Sequence, residues 1–211
     1  MVDGDFGPVS TDALMNLQTD FGLPVTGVID ETTHAMMVEP MLATLRTPFA
    51  TSMPFGDAVL AFANSHLAQH PREVGGDNLG PWVRLYMNGH DGADWFWCAG
   101  FITLCMKQAA EALNVDMPIK GSFSCDSLAA QAKEAGIFLA ERNADPDDIP
   151  AGSVFLVRRT STDWTHTGIV SEAKENSFTT VEGNTNDDGH RNGYEVCSRS
   201  RGYGKKDFIV L

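Results

Sequence analysis

DWFWCAGFITLCMKQAAEAL, Asp94 to Leu113, crowds three aromatic residues against Cys98, places a second thiol at Cys105, and runs on into an alanine-rich segment. The spacing predicts a helix from Cys98 to about Leu113. Phe101, Leu104, Cys105, Ala109 and Ala112 fall on one apolar stripe, and Cys98 joins it through steps of three and four. Cys105 lies two turns in among apolar neighbours and reads as core. Cys98 lies at the helix start, where Ala99 and Gly100 leave the backbone open. A thiol there meets free N–H groups and the positive end of the helix dipole, which favour the thiolate. Free cysteine is also among the most buried residue types, so an inert packing role stands beside the nucleophilic one. The nucleophilic role requires an imidazole within hydrogen-bond reach and a polar group to orient it.

The segments on either side of this helix set the fold class. Upstream, DAVLAFANSHLAQH predicts a helix, and NLGPWVRLY (Asn78–Tyr86) a short one through Val83–Tyr86. Downstream, SCDSLAAQAKEAG predicts a further short helix that Gly136 stops. After Pro150 come five short β-prone runs, SVFLVR, HTGIVS, SFTTVE, YEVCS and DFIVL, separated by turn residues such as EAKEN and NTNDDGHRNG. Helices first and a block of strands after them predict an α+β fold, with N-terminal helices packed on an antiparallel sheet.

The start of the chain is a separate piece. STDALMNLQTDFGL (Ser10–Leu23) predicts a helix capped by Ser10 or Thr11, with Ala13, Leu14, Leu17 and Phe21 at helical spacing. Gly22 stops it, Pro24 and Gly27 make a turn, and Asp30 caps a second helix starting near DETTHAMM. Two helices of this size cannot close a core alone. TPFATSMPFGD reads as linker. The boundaries expected are a helical module at 1–46, a linker at 47–56 and the main domain at 57–211.

Composition narrows the function classes. The 211 residues are 43% hydrophobic and 20% charged, and 15 Lys+Arg against 28 Asp+Glu give a net charge of −13. That balance, with no basic run, argues against nucleic-acid binding by phosphate neutralisation and against long-range attraction to an anionic surface. No apolar run approaches the roughly 18–20 residues of a membrane span. MVDGDFGPVS lacks the basic start and apolar core of a signal peptide. The expected export route is therefore phage-type release, specialised secretion or trimming from a longer chain. None of the four cysteines sits in a Cys-x-x-Cys pair, so zinc is disfavoured and free thiols are expected.

Of the six histidines, His34 lies in the first module, His66 and His70 lie in or beside a helix, and His90 and His190 lie in Gly-rich loops. An exposed or locally bonded side chain is expected for these five. His166 alone begins a predicted strand, and a rigid strand start suits a base. On the next strand, TVEGNTN puts Glu182 and Asn184 two residues apart, so an extended chain points both the same way. Either could accept the His166 N–H and fix its tautomer, and Asn184 could instead polarise a substrate carbonyl. Taken alone, EGN is a solvated turn.

Two resemblances follow from these motifs. Asp3, Gly4, Phe6, Gly7, Thr11, Ala13, Leu17, Gln18, Gly22, Leu23, Gly27, Asp30 and Thr33 reproduce a pattern that resembles the family-one peptidoglycan-binding domain, which implies a half-domain, or a fragment whose leading part lies upstream. The order WCAGF, HTGIV, VEGN over roughly Gly56 to Leu211 resembles the CHAP family of cysteine, histidine-dependent amidohydrolases/peptidases, as does NLGPWVRLY upstream. That resemblance implies a papain-like core with Cys98 as nucleophile, His166 as base, and Glu182 and Asn184 as polar partners. The strand before the histidine usually opens Gly-Asp in that family; Ser153 stands in the acid's place here.

What the resemblance implies is a monomeric hydrolase of bacterial peptidoglycan, an amidase or endopeptidase acting on a stem-peptide amide. Trp95, Trp97 and Trp164, with Trp82, are candidate substrate-binding walls, though aromatic core is the expectation for at least two of these four. No cofactor is expected. Calcium is a side reading, because NGHDGAD and NTNDDGH are oxygen-rich, but neither has full calcium-loop spacing. The competing functions are a non-catalytic wall-binding module and a cysteine amidase or transferase acting on a protein.

Overall fold

The computed structural model describes residues 4–186 and 192–211. Asp3 of the N-terminal motif, His190, and the Asp187–His190 part of NTNDDGH lie outside them. The chain divides into two compact units, Met1–Arg46 and Thr47–Leu211.

The first unit holds helices α1 (Pro8–Asp20) and α2 (Glu31–Leu45). Helix α1 starts ahead of the expected Ser10 or Thr11 cap. Gly7 is the cap and Pro8 opens the first turn, where a locked φ and a missing N–H do no harm. Asp30 caps α2, its Oδ1 accepting the Thr33 N–H at 2.8 Å. Of the expected apolar stripe only Leu14 is buried; Ala13 and Phe21 are exposed, since two helices cover only a narrow seam. A fully buried polar side chain fills the rest of that seam. Gln18 Oε1 accepts the N–H groups of Thr26 and Gly27, each at 2.9 Å, and its Nε2 donates to Val28 O at 2.9 Å. One amide thus fixes the turn between the helices.

The second unit carries α3 (Phe55–Leu67), α4 (Pro81–Tyr86), α5 (Cys98–Leu113) and α6 (Cys125–Glu134), followed by the strands. These are β1 (Phe138–Leu139), β2 (Val154–Thr160), β3 (Asp163–Ala173), β4 (Phe178–Thr185), β5 (Glu195–Arg201) and β6 (Lys206–Ile209). All pair antiparallel in the order β1-β6-β2-β3-β4-β5, so the fold is α+β. Helix α3 takes in Phe55 and Gly56, two residues read from sequence as linker. Strand β1 has only two residues, too few to show a period of two.

Helix α5 is the centre of this unit, packed on α3 and α4 on one side and on β3 and β4 on the other. It is buried from Cys98 to Thr103 and again at Cys105, Met106 and Gln108 to Ala110. A one-sided stripe was expected; a covered helix is found, because α3 and α4 lie over the side that would face water. At Gly100 the approach of α4 is closest, and a Cβ there would stand 2.6 Å from Tyr86 O. On the other face of the sheet, Ile149, Phe155, Val170, Phe178 and Phe208 form a second cluster.

His66 departs from expectation. It is fully buried, its Nε2 2.9 Å from Gln108 Oε1 and its Nδ1 3.1 Å from Tyr86 Oη. A carbonyl oxygen can only accept, so Nε2 carries the proton and Nδ1 accepts from the tyrosine. Burial pushes its pKa down to about 4, and it serves as a neutral bridge between α3, α4 and α5.

Candidate active site

Cys98 is the first residue of α5, and it faces His166 of β3. Strand β3 begins at Asp163, so His166 lies inside the strand rather than at its start. Its position is fixed from two directions. Val157 of β2 pairs with it across the ladder, and the Trp164 N–H donates to Asp126 Oδ1 in the first turn of α6 at 2.6 Å. His166 Nε2 lies 2.8 Å from Glu182 Oε2, and the ring lines the same cleft as the Cys98 sulfur, with which it interacts electrostatically. Because Nε2 is committed to Glu182, Nδ1 is the nitrogen left for an interaction with Cys98.

Glu182 of β4 is fully buried and fully bonded. Oε1 accepts from Thr180 Oγ1 at 2.7 Å and from Arg201 Nε at 2.8 Å, while Oε2 accepts from Arg201 Nη2 at 2.5 Å as well as from His166. Burial alone would raise its pKa. Arg201 and then His166 outweigh burial and hold it at about 2. For His166, burial acts to lower the pKa, but the bonds to Cys98 and Glu182 carry it up to about 9. The Cys98 thiol is held well below its ordinary value, first by a hydrogen bond from Cys125, against burial, and then by His166 and the Ala99 N–H. Both shifts act in the direction of a thiolate and imidazolium pair.

That state has a direct signature. Between pH 8 and pH 6 an ordinary thiol loses about 100-fold in alkylation rate, because the thiolate fraction falls. The Cys98 rate with iodoacetamide is expected to change less than about threefold over that range. Mass mapping after a digest that cuts at Phe101 separates Cys98 from Cys105. A 100-fold fall at Cys98 would show a neutral thiol.

A cleft of about 170 Å³ opens over this group, lined by Phe96, Cys98, Phe123, Cys125, Arg159, Asp163, Trp164, Thr165, His166 and Asn184. Of the tryptophans expected as substrate walls, Trp164 is there. Trp97 is not: it is fully buried, stacked on Tyr86 at 5.2 Å, with its Nε1 donating to Glu73 Oε1 at 2.8 Å. It belongs to the core because it is the residue on which α5 begins. Trp95 stacks on His90 at 4.3 Å outside the cleft lining, and Trp82 is half-buried beside Tyr86. The walls are instead Phe96 and Phe123, 46% and 39% exposed.

Asn184 lines the cleft but its amide turns away from His166. Oδ1 accepts the Trp97 N–H at 3.2 Å, and Nδ2 donates to Gly193 O at 2.6 Å and Asn78 Oδ1 at 3.1 Å. It braces the residue before Cys98, and of the two polar candidates only Glu182 bonds the imidazole. Sequence reasoning missed Arg201, Cys125 and Glu73. In NGHDGAD, Asp91 is ion-paired with Arg84 at 2.6 Å. Among the described residues no group of three His, Cys, Asp or Glu side chains is arranged to hold a metal ion.

Residues 1–37 match the family model described as "Putative peptidoglycan binding domain". The first unit thus has the character of a peptidoglycan-binding domain and gives the chain a cell-wall context. No curated protein and no solved structure matches the chain.

Proposed function

We propose that Thr47–Leu211 is a cysteine-dependent amide hydrolase of the CHAP type, acting on peptidoglycan. The observation that carries this is His166, which lines one cleft with Cys98 and is held at Nε2 by the buried, Arg-clamped carboxylate of Glu182. A packing cysteine needs no such partner, and a buried carboxylate is costly unless its charge is used or paired. Perturbed titrating groups that converge in a cleft mark a catalytic centre more often than a structural one.

The chemistry follows from the geometry. The Cys98 thiolate attacks the amide carbonyl. The N–H of Cys98, at the first turn of α5, donates to the oxyanion that forms. The imidazolium of His166 gives its Nδ1 proton to the leaving amine, and Glu182 keeps the ring oriented while that charge is lost. Neutral His166 then takes a proton from water, which resolves the thioester. A cleft of about 170 Å³ has room for a peptide unit and a small side chain, since a water takes up about 30 Å³.

The test uses purified sacculi and the full chain. Wild-type protein is expected to release soluble fragments with new amino groups, and protein blocked with iodoacetamide none. Fragment masses identify the bond. Sacculi that retain the protein without losing fragments would favour a wall-binding module with an idle thiol.

A further inference from the structure

The hydrolytic cycle has no step for Cys125. It is the first residue of α6, as Cys98 is of α5, and the two sulfurs lie 4.0 Å apart in the same cleft. No disulfide links the four cysteines. We propose that Cys125 is a resolving thiol for Cys98, and that a hydroperoxide converts the pair into a reversible intramolecular disulfide. This modification goes beyond the hydrolase reading and is read out without it.

Four observations carry it. The sulfurs are already in contact at two helix starts, 4.0 Å apart, about 2 Å beyond the length of a disulfide bond. Both side chains line an opening, so a small oxidant reaches them. The neighbourhood favours a thiolate on one partner and a thiol on the other, since the shared hydrogen bond pulls Cys98 down and pushes Cys125 up. Finally, the start of α6 is pinned by the Ser124 cap and by Asp126 on Trp164, which keeps Cys125 in place. Cys105, by contrast, is fully buried in the core and held protonated by that burial.

The step balances. The Cys98 thiolate attacks a peroxide oxygen, the O–O bond breaks, and the departing hydroxide takes a proton to leave as water. Cys98 is now a sulfenic acid and neutral, so its part in keeping Cys125 protonated is gone, while that of burial remains. The Cys125 sulfur attacks the Cys98 sulfur, the S–O bond breaks, and the oxygen leaves with the thiol's proton as a second water. Two thiols are oxidised and one peroxide is reduced. Without a resolving thiol the sulfenic acid goes on to sulfinic and sulfonic acid, which thiol reductants do not reverse.

The experiment exposes wild type and Cys125→Ser to hydrogen peroxide, then maps thiols by mass after maleimide trapping. Wild type is expected to lose 2 Da, with two of its four thiols blocked, the bridge joining Cys98 to Cys125, and dithiothreitol restoring both. Cys125→Ser is expected to gain about 32 or 48 Da at Cys98, with no recovery. Wild type carrying sulfinate at Cys98 beside a free Cys125 thiol would overturn the proposal, as would a bridge to Cys105 or Cys197. If the variant fails to fold, the wild-type map decides alone.

Discussion

Cys98→Ala is expected to release no more muropeptide than buffer, a loss of ~10⁴-fold or more, with its melting temperature within about 3 °C of wild type. Both halves follow from where the sulfur sits. In the proposed reaction it supplies the attacking electron pair, which an alanine side chain cannot. It also borders an open cleft, so truncation leaves space that water fills rather than a dry cavity. His166 keeps Glu182 in either case. Glu182→Gln is the graded companion. The amide can present N–H where the carboxylate accepted one, which sets the imidazole in the wrong tautomer; release is expected to fall by ~10³-fold. This variant also loses stability, by about 3 kcal/mol, because Arg201 and His166 keep their charges without their anion. The wild-type Glu182 contribution has a matching pH dependence. Its pKa is depressed to about 2 from the ordinary 4.5, so the stabilisation is complete above 4.5 and is lost as pH falls from there towards 2. A Glu182→Gln variant with more than a tenth of wild-type release, or an acid transition that ignores the substitution, would refute the role given to this carboxylate.

What could be read from the sequence was what depends on near neighbours. Cys98 at a helix start, and Glu182 two residues from Asn184, are local facts, and the alternation of HTGIVS places His166 on a strand. Period-two reasoning then misplaces Asn184. Its φ of 54° breaks the pleat, and pairing to β5 slips between Glu182 and Thr185, so Glu182 and Asn184 serve different partners. The aromatic run gives a similar lesson. Trp95, Phe96 and Trp97 are adjacent and alike in type, yet one is half-exposed, one lies at the cleft mouth and one is fully buried. Only the covering of α5 by α4 separates them. Arg201 and Cys125 meet the site through the sheet and through α6, and no spacing in the chain announces such contacts. His66 did leave a signal, since it continues the buried face of Ala58, Val59, Phe62 and Ala63 at steps of three and four. A histidine at that spacing on an apolar face is a core histidine.

Gly183→Ala is expected to unfold about 5–10 °C lower and to lose at least ~100-fold in fragment release. Its added methyl would stand 2.8 Å from Trp97 Cζ3 and 2.9 Å from Phe101 Cβ and Cγ. Neither ring has room to yield. Both are fully buried, and Tyr86 packs on both, stacked on Trp97 and edge-on to Phe101 with centroids 5.2 and 5.3 Å apart. Strand β4 therefore lies closer to α5 than any side chain permits. Relief comes from sliding β4 outward, at about 2–3 kcal/mol, the scale of overpacking in a dense core. Each kcal/mol lowers the melting temperature of a domain this size by about 2–4 °C. The same slide carries Glu182 and Asn184 with it. One draws the imidazole away from Cys98, and the other releases the N–H of Trp97 just ahead of Cys98. A shift of about 1 Å in such an array costs ~100-fold. Gly136→Ala isolates this cause. Its φ of +73° strains an alanine, but nothing lies within 4 Å of the new methyl, so about 1 kcal/mol is lost while release per folded molecule stays at the wild-type rate. Equal loss of release in both variants would make the effect one of general destabilisation; loss confined to Gly183→Ala places it in the contact of β4 with α5.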